Sequence, residues 1–165
     1  MADWGEEAGP RCDPSAGVEL NAALLVVNRS TAPFVVHEET SGSADLVAEW
    51  KIVNATLHEI FARAKLTKVA RVLMRIDDVN KEVRSVDQLC SVEWRAGVPS
   101  MSLSAGAFPG QQMLIDFGTG YAFTEQLLPG QVYQYRFSTR ELKSPRQQVV
   151  TENGWTWRGV AFGKL

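Results

Sequence analysis

The sequence predicts a mainly β, α+β domain: an antiparallel β-barrel or sandwich of about 8–10 short strands with two short helices. Three observations carry this expectation. Apolar and polar residues alternate with the two-residue period of half-buried strands in many short stretches. Turn-forming residues recur roughly every 8 to 12 positions, the spacing of antiparallel meanders. Strand and helix patterns do not alternate regularly, as a doubly wound parallel sheet would require.

The clearest stretch is 67–86. Ala70, Val72, Met74 and Ile76 share one face, while Arg71 and Arg75 share the other with Val69 and Leu73. Asp77, Asp78, Asn80 and Lys81 interrupt the run with turn-forming side chains, and Val83 and Val86 resume it. This reads as a hairpin.

The 165 residues suggest one domain, long enough to bury its own core without a disulfide or metal. Residues 1–17 are rich in Gly, Pro and acids and are expected to be a flexible tail, with Trp4 its exception, leaving 18–165 as the β-rich domain. Within the domain, 22–27 fits either a buried strand or part of a helix. Phe34 to Val36 reads as a short strand, 40–43 as a loop, and 45–53 as a strand with Leu46, Ala48, Trp50 and Ile52 on one face. Thr56 followed by Glu59 has the capping-box spacing, and Leu57, Ile60, Phe61 and Ala64 have helical spacing, so a helix is expected over about 56–65. Strands follow at 88–94, 100–105, 113–117 and 132–137. In the last of these, Tyr133, Tyr135 and Phe137 share a face. Ser144-Pro145-Arg146-Gln147 reads as a helix start, with Gly154 as its end, which sets the second helix at about 144–153. Trp155 to Phe162 alternates as a terminal strand that would pair with earlier ones.

The composition is that of an ordinary globular chain, and a net charge of −2 argues against a broad nucleic-acid surface. No apolar run is long enough to span a bilayer, and the acidic N-terminus has no secretory core, so a cytoplasmic setting is expected. Two cysteines, Cys12 and Cys90, do not make a disulfide framework.

No catalytic or metal-binding motif emerges. His37 and His58 each precede Glu, but without HExxH spacing or a cysteine pair. On a helix, His58 and Glu59 would point about 100° apart. Cys90 alternates with Val92 and Trp94 on the expected core face, the place of a structural thiol rather than a nucleophile. Gly118-Thr119-Gly120 lacks a third glycine, and Asp77, Asp78 and Asn80 lack the distal Glu of an EF-hand.

The aromatic residues are the most suggestive set. Most belong to an ordinary core. In a closed or half-closed sheet, inward aromatics also frame a cavity. There Tyr133, Tyr135 and Trp157 would supply polar tips, and Arg136 and Arg158 would close the rim over an anionic group. The leading functional expectation is therefore non-catalytic binding of a small, partly apolar ligand in a β-lined cavity, with no cofactor. The alternative is a protein-interaction or homo-oligomerisation module using a sheet edge and exposed aromatics. A hydrolase-type or metal-dependent enzyme has the least support.

Overall fold

The computed structural model describes residues 15–52, 62, 67–103, 123–161 and 165. Among these, α1 (Gly17–Val26) precedes β1 (Phe34–Glu38), β2 (Leu46–Trp50), β3 (Lys68–Asp77), β4 (Glu82–Arg95) and β5 (Val98–Leu103). Then come β6 (Phe123–Leu128), β7 (Gln131–Tyr135), α2 (Thr139–Glu152) and β8 (Thr156–Gly159). The expected helix at 56–65, except residue 62, and the expected strand at 113–117 fall outside the described residues.

The sequence places the β3–β4 hairpin correctly. Every residue of β3 pairs antiparallel with β4, from Lys68 opposite Ser91 to Asp77 opposite Glu82. Asp77 closes the turn by accepting the N–H groups of Val79 and Asn80, each at 3.1 Å. Asp78 reaches further and accepts the Gly17 N–H at 3.1 Å, so the turn also caps the start of α1.

The hairpin is the centre of a six-stranded sheet running β1-β2-β3-β4-β5. Beyond β4, β5 lies antiparallel along residues 90–95 of that strand, while β8 runs parallel beside Glu82–Ser85. One long strand thus carries two short neighbours end to end. The expected terminal strand exists, and it adds beside β4 as the only parallel pair of this sheet among the described residues.

The barrel expectation needs correction. The described strands form one open sheet and a separate β6–β7 hairpin, and neither closes on itself. The sheet instead buries one face under helices. Phe34, Val36, Leu46, Ala48, Trp50, Val72 and Met74 face Leu20 and Leu24 of α1 and Leu142 and Val150 of α2 in one core. Val47, Leu73 and Val86 have the opposite strand parity and pack with Ala44 and Val160 on the other side.

The first described segment, which periodicity leaves open, is helical. Glu19 accepts the N–H of Ala16 at 3.2 Å and fixes the first turn. The second helix starts earlier than the Ser-Pro signal predicts. Its N-cap is Ser138, whose N–H donates to Glu141 at 2.8 Å, and the same carboxylate takes the Arg136 N–H at 2.8 Å. Pro145 therefore lies inside the helix, where its missing N–H leaves the backbone ladder one bond short. Packing overrides the local signal, because Leu142, Arg146 and Val150 are all buried at helical spacing. Gly154, at φ 79°, ends this helix as expected.

The two readings of the helix start separate cleanly in solution. Glu141→Ala is expected to lower unfolding stability by about 1 kcal/mol in urea titrations, since it removes the cap. Ser144→Ala, at an exposed position in the second turn, is expected to change it by less than about 0.5 kcal/mol. The reverse pattern would return the helix start to residue 144.

Candidate functional site

A carboxylate closed off from water organises one end of the molecule. Glu125 on β6 has a fully buried side chain. Arg29, in the connection between α1 and β1, grips it with two parallel bonds, Nε to Oε1 at 3.0 Å and Nη2 to Oε2 at 2.9 Å. The Thr31 hydroxyl donates to Oε1 at 2.7 Å, and the Tyr135 hydroxyl donates to Oε2 at 2.5 Å. Arg29 also donates to the Tyr135 oxygen at 2.8 Å. The paired, bidentate geometry is the strong form of a carboxylate contact.

The electrostatic consequences oppose one another. Burial pushes the Glu125 carboxyl up, but the bonds from Arg29, Thr31 and Tyr135 outweigh it and hold its pKa at about 2. Tyr135 is driven well above the ordinary phenol range, by burial and by donating to an ionised acid. Neither group exchanges its proton near neutral pH, so the pair acts as a fixed scaffold rather than an acid–base couple.

Around this scaffold lies a cluster of edge-on rings. Phe34, Trp50 and Tyr135 contact one another with centroids 5.9 to 6.4 Å apart, and Phe137 meets Trp50 at 5.1 Å. Phe137 adopts φ 61°, a left-handed backbone unusual for a residue with a side chain, and this bend turns the chain from β7 into α2. Arg146 enters the same cluster from α2. Its side chain is buried, its guanidinium stands 4.2 Å from the centroid of the Phe34 ring, and Nη1 donates to the Leu142 carbonyl at 2.6 Å. Its Nε and Nη2 have no hydrogen-bond partner among the described residues. Burial pulls its pKa down to about 9, which still leaves it charged at pH 7.

Against this wall opens a cavity of about 310 Å³. Phe34 and Tyr135 form its sheet side, and Arg29 stands at the entry to β1. The first turns of α2 form the facing side through Arg140, Glu141, Ser144 and Pro145. A second concavity of about 680 Å³, by α1 and the end of β3, is a shallow groove. Its polar groups serve internal ties: Asp45 accepts the Ile76 N–H, Glu39 the Ser41 N–H, and Arg75 donates to the Gly42 carbonyl. That groove holds loops in place.

Of the residues expected at a site, Tyr135 lies in the cavity wall. The side chain of Tyr133 is outside the described residues. Arg136 is exposed just past β7 and contributes its backbone N–H to Glu141. Trp157 and Arg158 belong to β8, where Trp157 packs against the core and Arg158 lies 3.6 Å from Glu82. Neither lines the cavity that Tyr135 borders. His37 pairs with Glu49 at 3.0 Å across β1 and β2. Burial lowers the His37 pKa, but the Glu38 carbonyl and Glu49 carboxylate outweigh it and the net shift is upward. Cys90 is a buried thiol whose pKa burial pushes up. Among the described residues, no group of three or more His, Cys, Asp or Glu side chains is placed to hold a metal, and no helix is long and apolar enough to cross a membrane.

The charge on Glu125 makes this end of the molecule acid-sensitive. Its folded pKa lies below its ordinary value of 4.5, so its contribution is full above that pH and fades as pH falls towards 2. In thermal melts, the stability deficit of Glu125→Gln is expected to be greatest above pH 5 and to shrink steadily between about pH 4.5 and 2.5. A deficit independent of pH over that window would mean that Glu125 is not held ionised in the fold. No family model matches the chain, and neither does any curated protein or solved structure.

Proposed function

We propose that the protein binds a small, partly apolar ligand, without transforming it, in the cavity between β1, β7 and α2. The observation that carries this reading is the cavity itself. About 310 Å³ is at the lower end of the usual range for small-molecule sites. Its walls combine two aromatic rings, a proline and a few fixed polar groups, the mixture such sites use to hold and orient a ligand. The wall is pre-organised, since Tyr135 is held by Glu125 and Arg29 and Phe34 is packed between rings. Binding then loses little free energy to ordering the site. Both helix and sheet contribute, so the cavity is not purely β-lined. The reading is of a cofactor-free binder in a cytoplasmic setting, and the free, buried Cys90 is in keeping with a reducing compartment.

The interaction-module alternative loses one sheet edge. On β1, Asn28 donates to the Val36 carbonyl and accepts the Val36 N–H, both at 2.7 Å. An asparagine amide thereby occupies the Val36 backbone groups, at the middle of β1, that an added strand would pair with.

Ser144 gives a direct test, because it is an exposed lining residue on a helix and Trp there would fill the cavity without entering the core. The neutral fluorophore N-phenyl-1-naphthylamine is expected to brighten saturably, at one site per chain, with the natural sequence. With Ser144→Trp that signal is expected to vanish while the melting temperature stays within about 2 °C, a change of well under 1 kcal/mol. Equal brightening in both proteins, or none in either, would overturn the reading.

A further inference from the structure

We infer that the cavity is built for a ligand whose apolar body carries an oxyanion, a carboxylate or phosphate, with Arg140 at its mouth and the buried Arg146 guanidinium behind its wall. This rests on the binding role proposed above and adds the ligand's charge.

The charges around the cavity do not balance. Arg29 and Arg140 line it, and Arg146 lies against Phe34, which also lines it. Lys51 is close by, its ammonium donating to the Arg29 carbonyl at 3.1 Å. Against these four cations the described residues set two acids, Glu125 and Glu141. Glu125 is committed to Arg29, and Glu141 to the backbone N–H groups of Arg136 and Ser138. The surplus is positive in a chain whose net charge is −2, so it is a local feature rather than a reflection of composition.

Arg146 is the most exacting of these cations. A buried guanidinium normally has its donors satisfied and its charge paired, because desolvating it unpaired is costly. Here two donor nitrogens have no partner among the described residues. The Phe34 ring compensates in part by accepting the cation over its face. Arg29 uses the same ring from 5.6 Å, so two like charges share one aromatic ring. Glu125 relieves only one of them. An oxyanion in the cavity would relieve the other, and low-dielectric surroundings would strengthen the attraction. Arg140 has no ion pair or hydrogen bond among the described residues and stands at the same mouth, where its planar fork suits two oxygens of one oxyanion.

The test is displacement of N-phenyl-1-naphthylamine by matched naphthalene derivatives. Naphthalene-2-carboxylate and 2-naphthyl phosphate are the anionic probes, and naphthalene-2-carboxamide is the neutral one. At low salt at least one anion is expected to displace the fluorophore at a concentration about tenfold below the amide. The relative strength of the two anions tells which oxyanion the site prefers. In Arg140→Gln, an exposed change, the ratio of anion to amide is expected to fall towards one. Arg146→Met should reduce it as well, and it should fold, because replacing a buried unpaired charge by an apolar side chain is commonly neutral or stabilising. Arg158→Gln, on β8, should keep the natural ratio. Equal displacement by anions and amide would overturn the charge inference while leaving the binding site in place. Absence of fluorophore binding in the natural protein would overturn the binding site first. An unchanged ratio in both Arg140→Gln and Arg146→Met would refute the assignment of these arginines.

Discussion

An ionised carboxylate out of reach of water is tolerable only if the fold supplies what water would have supplied. Glu125 obtains four hydrogen bonds from Arg29, Thr31 and Tyr135. These donors come from both sides of a seam. Glu125 and Tyr135 belong to the β6–β7 hairpin, which has no strand pairing with the main sheet among the described residues. Arg29 and Thr31 belong to the connection that leads into β1. The cluster is therefore a polar bond between two sheets that share no backbone ladder among the described residues. Removing one partner strands the others, so its cost exceeds the modest value of an exposed ion pair.

Packing reinforces the same seam. Tyr135 meets Phe34 and Trp50 edge-on, and Phe137 meets Trp50, so the hairpin's aromatic face closes over the sheet's. The chain then bends through the left-handed Phe137 into α2. Glu141 secures the entry to that helix, and Leu142, Arg146 and Val150 lay it against the core. The cavity occupies the place where the hairpin, β1 and the first turns of α2 converge without filling the space between them. Its position follows from the seam, and its excess of positive charge follows from the arginines that the seam and α2 bring there.

Much of this was legible in the sequence because it rests on local pattern. The β3–β4 hairpin, β2 and the strand over 132–137 announce themselves by alternation, β1 by its short apolar run from Phe34 to Val36, and Gly154 announces a helix end. The start of α2 misled because Ser144-Pro145 is a good local signal beaten by tertiary packing. Arg146, four residues after Leu142 and four before Val150, sits in the apolar register of the true helix, and that misplaced charge was the available clue. Glu125 was missed for a related reason. It follows Phe123 and precedes Leu127 at strand spacing, an acid in an apolar register, which usually marks a buried charge seeking a partner. That its partner is Arg29, ninety-six positions away, is a long-range fact that periodicity does not carry. Trp157 and Arg158 were grouped with Tyr135 by composition, but the parallel pairing of β8 with β4 assigns them elsewhere.

The seam depends most on Glu125 and Arg29 holding the hairpin against the sheet as a coupled pair. A double-mutant cycle with Arg29→Ala and Glu125→Ala, read by urea unfolding at pH 7, measures that coupling directly. A coupling energy of about 2 kcal/mol or more is predicted for a desolvated, bidentate pair. A value below about 0.5 kcal/mol, typical of an exposed ion pair, would contradict it.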